Sequence, residues 1–204
     1  MCRSFFLLYM KIYVKILLVN PMICGEKMKI YVMRHGRTDD NDKQILNGRN
    51  DEDINSTGIA QAEAAREIFE KLPIDLIVCS PMLRARHTAE VVNTKNLPVV
   101  YDERLIERDT GELTGRHISG EFRDVYWNYY SREYDVEHVD ELFSRVNPVI
   151  DDIKAKYKDK NVLIVTHNGV ARAIYAYFNG IPEDGNILNI GTHKNCEIRE
   201  YEIQ

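Results

Sequence analysis

The stretch Lys29-Ile-Tyr-Val-Met-Arg-His-Gly36 joins a short apolar run to a histidine and a glycine. The length and sharp boundary of this run are typical of a buried β-strand. The same construction recurs near the other end of the chain, in Val162-Leu-Ile-Val-Thr-His-Asn-Gly169. Each segment predicts a strand that places a histidine at its C-terminal end, beside a glycine that lets ligand and backbone approach closely.

Strand and helix patterns alternate along the rest of the chain. Strands are predicted over 29–33, 75–78, 98–101 and 162–165, with a last, edge strand over 196–203. Helical periodicity covers 56–72, 81–92, 139–157 and 170–178. This order predicts an α/β fold, a three-layer sandwich in which helices flank a mostly parallel central sheet. Because ligands bind outside the carboxyl ends of parallel strands, both histidines are expected in one pocket.

Single residues mark the helix ends. Asn55 and Ser56 can cap the first long helix. Ser80 is a candidate cap for the next helix, with Pro81 as its first residue. Pro148 either kinks the long helix that contains it or starts a new one.

The composition is that of a soluble globular protein with a single domain over 28–204. The 204-residue chain is 44% hydrophobic and has a net charge of −5, which argues against nucleic acid or an anionic membrane as a partner. The four cysteines lack a metal-binding spacing and favour reduced thiols in the cytoplasm. The oligomeric state is left open.

Residues 1–27 form an N-terminal extension of doubtful status. Lys11 and Lys15 interrupt its apolar residues, so that it is too short and too charged for a membrane-spanning helix. Met28 directly precedes the first strand. The preferred interpretation is a translation-start artefact or a loosely attached extension, and the alternative is a secretory signal or membrane anchor.

Phosphoryl transfer is the chemistry that the two histidine segments favour. A neutral imidazole such as that of His35 can attack phosphorus and form a phosphohistidine, which divides hydrolysis into two easier steps. The transferred group carries its charge on three oxygens and therefore needs surrounding donors. Arg34 offers a planar fork that suits phosphate oxygens, and Arg84 follows a strand in the first turns of a helix. His167 completes this set of donors.

Five ordered motifs resemble the signature of the histidine phosphatase superfamily, whose members share the phosphoglycerate mutase-like fold. The motifs are Tyr31-Val-Met-Arg-His-Gly-Arg-Thr38 with Asn41, Gly48-Arg49 with Asp51 and Ile54-Asn-Ser-Thr-Gly58, Cys79-Ser-Pro-Met-Leu-Arg-Ala-Arg-His-Thr-Ala-Glu90, Arg104-Leu-Ile-Glu107 with Gly111 and Gly115, and Val165-Thr-His-Asn-Gly169. The resemblance extends from about Met28 to the C-terminus.

The resemblance implies a role for each matching residue. His35 is the nucleophile that becomes phosphorylated. Four further residues hold the phosphoryl group, namely Arg34, Asn41, Arg84 and His167. Glu107 is the general acid that protonates the leaving alcohol and then the base that activates water, with Asp109 as the alternative acid. No metal or other cofactor is expected, because arginines and histidines supply the positive charge.

Some residues depart from the family pattern. Cys79 stands where serine is usual, and Asn168 replaces a common glycine and adds an amide to the pocket. Thr110 and Leu113 stand near positions where the family often has aromatic residues, which leaves the specificity for the leaving group open. Three histidines match no motif and are predicted to be structural or surface residues: His117, His138 and His193.

The resemblance implies a phosphomonoester hydrolase that acts on a small phosphorylated metabolite. The alternatives are a cofactor-dependent phosphoglycerate mutase and a weakly catalytic binding or regulatory module of the same fold. Mutases of the family have a longer segment with additional basic residues over the pocket, whereas the segment between Glu107 and Pro148 is short here. Its aromatic residues, including Tyr126 and Trp127, are expected mainly to pack helices against the sheet. Sugar bisphosphatases and the phosphatase of cobalamin nucleotide assembly are candidate activities.

Overall fold

A computed structural model describes residues 27–117 and 120–203. Five strands form one sheet: β1 (Lys29–Arg34), β2 (Leu76–Cys79), β3 (Val99–Tyr101), β4 (Val162–Thr166) and β5 (Ile198–Glu202). Their order in the sheet is β3-β2-β4-β1-β5. The first four run parallel, and β5 runs antiparallel to β1 at the edge. Each predicted strand is confirmed, with bounds that agree within two residues.

Six α-helices lie within the described residues: α1 (Asp39–Asp42), α2 (Ser56–Lys71), α3 (Leu83–Val92), α4 (Gly120–Tyr126), α5 (Val139–Lys156) and α6 (Asn168–Asn179). Two short 3-10 helices, Glu103–Leu105 and Gly111–Leu113, lie between β3 and α4. None of these helices is both long and apolar enough to cross a membrane. The predicted N-terminal extension lies, up to residue 26, outside the described residues.

The sheet separates two hydrophobic cores. Ile30 and Val32 of β1 belong to the core that contains the apolar faces of α5 and α6. Tyr31 and Met33 alternate with them and belong to the core against α2 and α3. This alternation follows from the period of two in a strand and makes both sheet faces apolar. The predicted three-layer sandwich is confirmed.

The helix ends agree only in part with the sequence. Asn55 caps α2 as predicted, because its side chain accepts a hydrogen bond of 3.1 Å from the Gly58 N–H. The prediction of Ser80 as a cap and Pro81 as a first residue is wrong. Helix α3 begins at Leu83, whose N–H donates to the Asp51 carboxylate at 2.7 Å. A distant carboxylate therefore supplies the cap.

The long helix α5 contains Pro148, for which the sequence left two alternatives, a kink or a new helix. Pro148 lies inside it, and the helix continues on both sides, so that no new helix starts there. Its apolar stripe is confirmed, with Val139, Leu142, Phe143, Val146, Val149, Ile150 and Ile153 all buried.

The pairing of β1 with β4 places the two histidine segments side by side. The two strands are parallel, and Arg34 is in register with Thr166. The His35 N–H continues the ladder and donates to the Thr166 carbonyl oxygen at 2.9 Å. His35 and His167 therefore leave the same edge of the sheet at adjacent positions.

Candidate active site

The two histidine rings lie side by side at the carboxyl edge of the sheet. Their centroids are 5.2 Å apart, and both residues are buried. The two imidazoles therefore lie side by side, but only that of His35 lines the cavity described below, so that the expectation of both in one pocket is met for His35 alone.

His35 is fixed in a form suited to nucleophilic attack. Its Nδ1 lies 2.7 Å from the Gly36 carbonyl oxygen. Because a carbonyl oxygen only accepts, Nδ1 carries the proton and Nε2 of the neutral ring keeps its lone pair. Burial, followed by the charges of Arg84 and Arg34, lowers the pKa of His35 well below 6.5. The ring is therefore neutral near pH 7.

His167 is held by Ser80, which the sequence predicted to be a helix cap. Its Nε2 lies 2.8 Å from the Ser80 hydroxyl. Its Nδ1 is buried and has no partner among the described residues. Burial, and then the neighbouring Arg84, lowers the pKa of His167 well below 6.5. Ser80 thus orients the second histidine instead of capping α3.

The two predicted phosphate-binding arginines are anchored by carbonyl oxygens. Arg34 Nη1 donates to the His193 oxygen at 3.1 Å. Arg84 is only 2% exposed, and its Nη1 and Nη2 donate to the oxygens of Asn50 and Gly48 at 2.7 and 2.9 Å. Burial lowers the pKa of both guanidinium groups, which nonetheless remain charged. Since carbonyls orient these cations without neutralising them, their charge is available to an anion.

The side chain of Glu107 reaches the N-terminus of α6. Its Oε1 accepts hydrogen bonds from the N–H groups of Arg108 and Gly169, at 2.8 and 3.1 Å. The alternative acid, Asp109, instead pairs with Arg49 at 3.3 Å and does not line the cavity described next. The geometry therefore favours Glu107 as the acid.

A cavity of about 90 Å³ lies in front of His35. Its wall includes six residues that the sequence predicted: Arg34, His35, Asn41, Arg84, Glu107 and Asn168. His167 packs against His35 but is not part of this wall. Thr110 lines the cavity, whereas Leu113 is fully buried in the core. Tyr126 and Trp127 pack in the core as expected, and they also line the cavity.

Three residues with roles in the site were missed from the sequence: Ser80, Arg108 and Asn195. Arg108 lines the cavity, and its place directly after Glu107 was a usable indication. Asn195 Nδ2 donates to the His35 carbonyl oxygen at 2.9 Å and to Asn41 Oδ1 at 3.3 Å. No motif marks Asn195, because its role depends on a loop that reaches the site only in the fold.

The histidines without a motif are structural or exposed, as predicted. His193 is buried, and its carbonyl oxygen orients Arg34. His138 precedes α5, and its N–H donates to the Glu141 carboxylate at 2.8 Å. His117 is exposed.

The arrangement combines a neutral nucleophilic imidazole, uncompensated cations and a carboxyl group around a cavity of limited size, which suits phosphoryl transfer. A family model described as the histidine phosphatase superfamily (branch 1) matches residues 30–204. The chain belongs to this superfamily.

Two relatives and one solved structure that resemble this chain are named as phosphatases. The metal-independent phosphoserine phosphatase of Arabidopsis thaliana is 30% identical over 178 residues, which cover 81% of this chain and 74% of the relative. The adenosylcobalamin/alpha-ribazole phosphatase of Escherichia coli K12 is 27% identical over 166 residues, or 77% and 82% of the two chains. The structure of a mycobacterial glucosyl-3-phosphoglycerate phosphatase superposes with a TM-score of 0.76 at 25% identity, covering 85% of this chain and 92% of that one.

Proposed function

We propose that this histidine phosphatase hydrolyses small phosphomonoesters through a phosphohistidine on His35. The hydrogen bond from His35 Nδ1 to the Gly36 oxygen carries the proposal, because it leaves the Nε2 lone pair free beside Arg34 and Arg84.

In the first half of the reaction, His35 Nε2 attacks phosphorus and the bond from phosphorus to the ester oxygen breaks. The three equatorial oxygens carry the charge in the transition state, and Arg34 and Arg84 on the cavity wall stabilise it, while His167 supports the ring of His35 from behind. Glu107 gives its proton to the departing alkoxide. The phosphorylated imidazole is positively charged, and its Nδ1–H bond to Gly36 stabilises that charge.

In the second half, water attacks phosphorus and the bond from phosphorus to Nε2 breaks. Glu107, now a carboxylate, takes a proton from this water. Inorganic phosphate leaves, and His35 returns to its neutral form. The backbone N–H groups of Arg108 and Gly169 hold the Glu107 carboxyl group in place for both steps.

The size of the cavity supports a small leaving group. Its volume of about 90 Å³ is well below the ~300–1,000 Å³ of common ligand pockets. Among the substrates for which relatives are named, this favours a small phosphate ester such as phosphoserine over a nucleotide-like one.

We also propose that the protein is cytoplasmic. Cys79 and Cys196, the two cysteines within the described residues, are buried free thiols, which supports the cytoplasmic location expected from the sequence.

Two substrates test the function. Wild-type protein should release nitrophenol from p-nitrophenyl phosphate, and His35→Ala should reduce kcat/KM by at least about 10³-fold because the nucleophile is lost. With 3-phosphoglycerate, release of inorganic phosphate is expected. Conversion to 2-phosphoglycerate without hydrolysis would identify a mutase, and turnover that survives His35→Ala would contradict the proposal.

A further inference from the structure

The loop over 187–196 lies between α6 and β5 and reaches the candidate site. Its start is held by Arg172 of α6, which is buried and whose Nη1 donates to the Ile187 oxygen at 2.7 Å. Its end is held against β1, because the Cys196 N–H donates to the Arg34 oxygen at 2.9 Å. The loop is therefore fixed at both ends, and its position relative to the site is defined.

Asn195, near the end of this loop, has an amide whose orientation its neighbours determine. Its Nδ2 donates to the His35 carbonyl oxygen at 2.9 Å. Because a carbonyl oxygen only accepts, the nitrogen of the Asn195 amide must face it, and the amide oxygen cannot. The same Nδ2 also donates to Asn41 Oδ1 at 3.3 Å. Both protons of the Asn195 amide therefore have acceptors in the site.

Asn41 receives a fixed orientation from this contact. Its backbone belongs to α1, where its N–H donates to Thr38 Oγ1 at 3.3 Å. Since its Oδ1 faces Asn195, its Nδ2 occupies the other branch of the amide and has no acceptor within residues 27–117 and 120–203. Asn41 lines the cavity together with Arg34 and His35. Both N–H groups of the Asn41 amide are thus available to an anion in the cavity.

The opposite orientation of Asn41 would disfavour the reaction. With the amide reversed, Oδ1 of Asn41 would face the phosphoryl oxygens and repel their negative charge, because an amide oxygen only accepts. A free asparagine side chain can adopt either orientation. The contact with Asn195 removes this freedom before the substrate binds, which is the advantage of a preorganised donor.

The backbone next to Asn195 has an uncommon conformation. Cys196 has a φ of +59°, in the left-handed region that residues other than glycine rarely adopt. Such a conformation costs free energy and persists only where the surrounding structure holds it. Here the strained residue directly follows the amide that contacts both His35 and Asn41.

We propose that Asn195 is a positioning residue for phosphoryl transfer. Its amide turns the amide of Asn41 so that Asn41 Nδ2 donates to the transferred phosphoryl group. Asn195 does not line the cavity and acts through Asn41. The His35 carbonyl oxygen fixes Asn195 and thereby aligns the donor with the nucleophile. This role rests on the proposed phosphatase function.

Asn195→Leu tests this role, because leucine has a similar size and cannot donate. We expect kcat/KM for p-nitrophenyl phosphate to fall about tenfold to 100-fold, as is usual for a lost hydrogen bond to a charged group. An alkyl phosphate should show the same loss, since Asn41 contacts the phosphoryl group that all esters share. Asn179→Leu is the matched control, because Asn179 Nδ2 donates to the Tyr175 oxygen at 2.9 Å away from the cavity.

A double-mutant cycle with Asn41→Ala separates positioning from a structural role. If Asn195 acts through Asn41, adding Asn195→Leu to Asn41→Ala should lower kcat/KM by less than about twofold, because no donor is left to orient. A general structural defect would lower kcat/KM by the same factor in both backgrounds. Asn195→Ala repeats the cycle if the leucine variant does not fold. The Kd of orthovanadate, a phosphate-like anion, repeats it by calorimetry without turnover and should show the same coupling.

The outcomes separate the role of Asn195 from the phosphatase function. Unchanged kinetics and unchanged vanadate affinity in Asn195→Leu and Asn195→Ala would overturn the role, as would losses that multiply with that of Asn41→Ala. In both cases turnover of p-nitrophenyl phosphate by the wild type would leave the proposed function intact. Absence of turnover by the wild type would overturn the proposed function, and the vanadate cycle would still decide whether Asn195 orients Asn41 toward a bound anion.

Discussion

At the scale of single residues, backbone carbonyl oxygens fix the reactive groups. They orient His35 through Nδ1 and anchor Arg34 and Arg84 without neutralising their charges. A carboxylate in their place would compete with the phosphoryl group for the same donors. The site is therefore set up for an anion before one binds.

The role of Glu107 can be tested with the leaving group. Glu107→Gln retains an oxygen that can accept from Arg108 and Gly169 but has no proton to give. We expect kcat/KM for alkyl phosphates to fall by about 10²–10⁴-fold, with a much smaller loss for p-nitrophenyl phosphate, whose leaving group needs little protonation. Asp109→Asn is the control, since Asp109 pairs with Arg49 outside the cavity. Equal losses on both esters, or the same profile from Asp109→Asn, would exclude Glu107 as the acid.

Sequence alone singled out many of the residues that the structure places around the cavity, and their catalytic roles stay predictions. Residues in contiguous motifs, such as His35 and Arg84, lie where the resemblance implied. Ser80 and Asn195 were missed because their partners, His167 and His35, are distant in sequence. A local pattern cannot distinguish a helix cap from a long-range hydrogen bond.

At the scale of elements, α5 holds the irregular segment that bears Glu107. Arg145 Nη1 donates to the oxygens of Arg104 and Ile106 at 2.7 and 2.9 Å, and its Nη2 donates to the Glu107 oxygen at 3.2 Å. Glu137 pairs with Arg145 and also accepts from the Asp109 N–H at 3.0 Å. This ion pair ties the segment to the helix on both sides of Glu107.

Arg145 does not line the cavity. Arg145→Met should therefore displace Glu107 without removing a contact to the substrate. We expect about a tenfold or larger loss in kcat/KM for alkyl phosphates, because small displacements of a catalytic group are costly, and a smaller loss for p-nitrophenyl phosphate. Arg132→Met removes a different ion pair to α5, that with Asp140, and serves as the control. If both variants lose activity equally on every ester, Arg145 acts only through stability.

The strands were more predictable than the segments between them. Buried apolar runs set the bounds of β1 and β4 within one residue. The segment over 102–117 has little periodicity. Arg145 donates to carbonyl oxygens in its first part, and backbone hydrogen bonds with Leu46 and Asp135 fix its second part. Its position could not be read from the sequence for that reason.

At the scale of the whole molecule, buried neutral histidines make stability depend on pH. Burial lowers the pKa of His193 to about 4, and that of His35 and His167 well below 6.5. In the unfolded chain these rings titrate near ~6.5. Below that pH the unfolded state binds more protons than the native state, so that stability is full above about pH 6.5 and falls as the pH decreases.

Each such histidine should lower the free energy of unfolding by up to about 1.4 kcal/mol per pH unit below ~6.5. Urea unfolding at about pH 7.5 and about pH 5 measures this loss. His193 does not line the cavity. His193→Gln removes one of the three buried histidines and should reduce the pH dependence of stability by about one third. Equal stability at the two pH values would show that the native state takes up as many protons between them as the unfolded state does. The rings would then be protonated in the native state at about pH 5, which would contradict the account.

The most direct test of the phosphohistidine mechanism is to trap the intermediate. Wild-type and Glu107→Gln proteins are mixed with p-nitrophenyl phosphate, quenched in denaturant at alkaline pH and digested for mass spectrometry. One acid-labile phosphoryl group should appear on the peptide that contains His35, and it should accumulate in Glu107→Gln because water is activated slowly. Continued turnover with no phosphorylated His35 in either protein would contradict the mechanism.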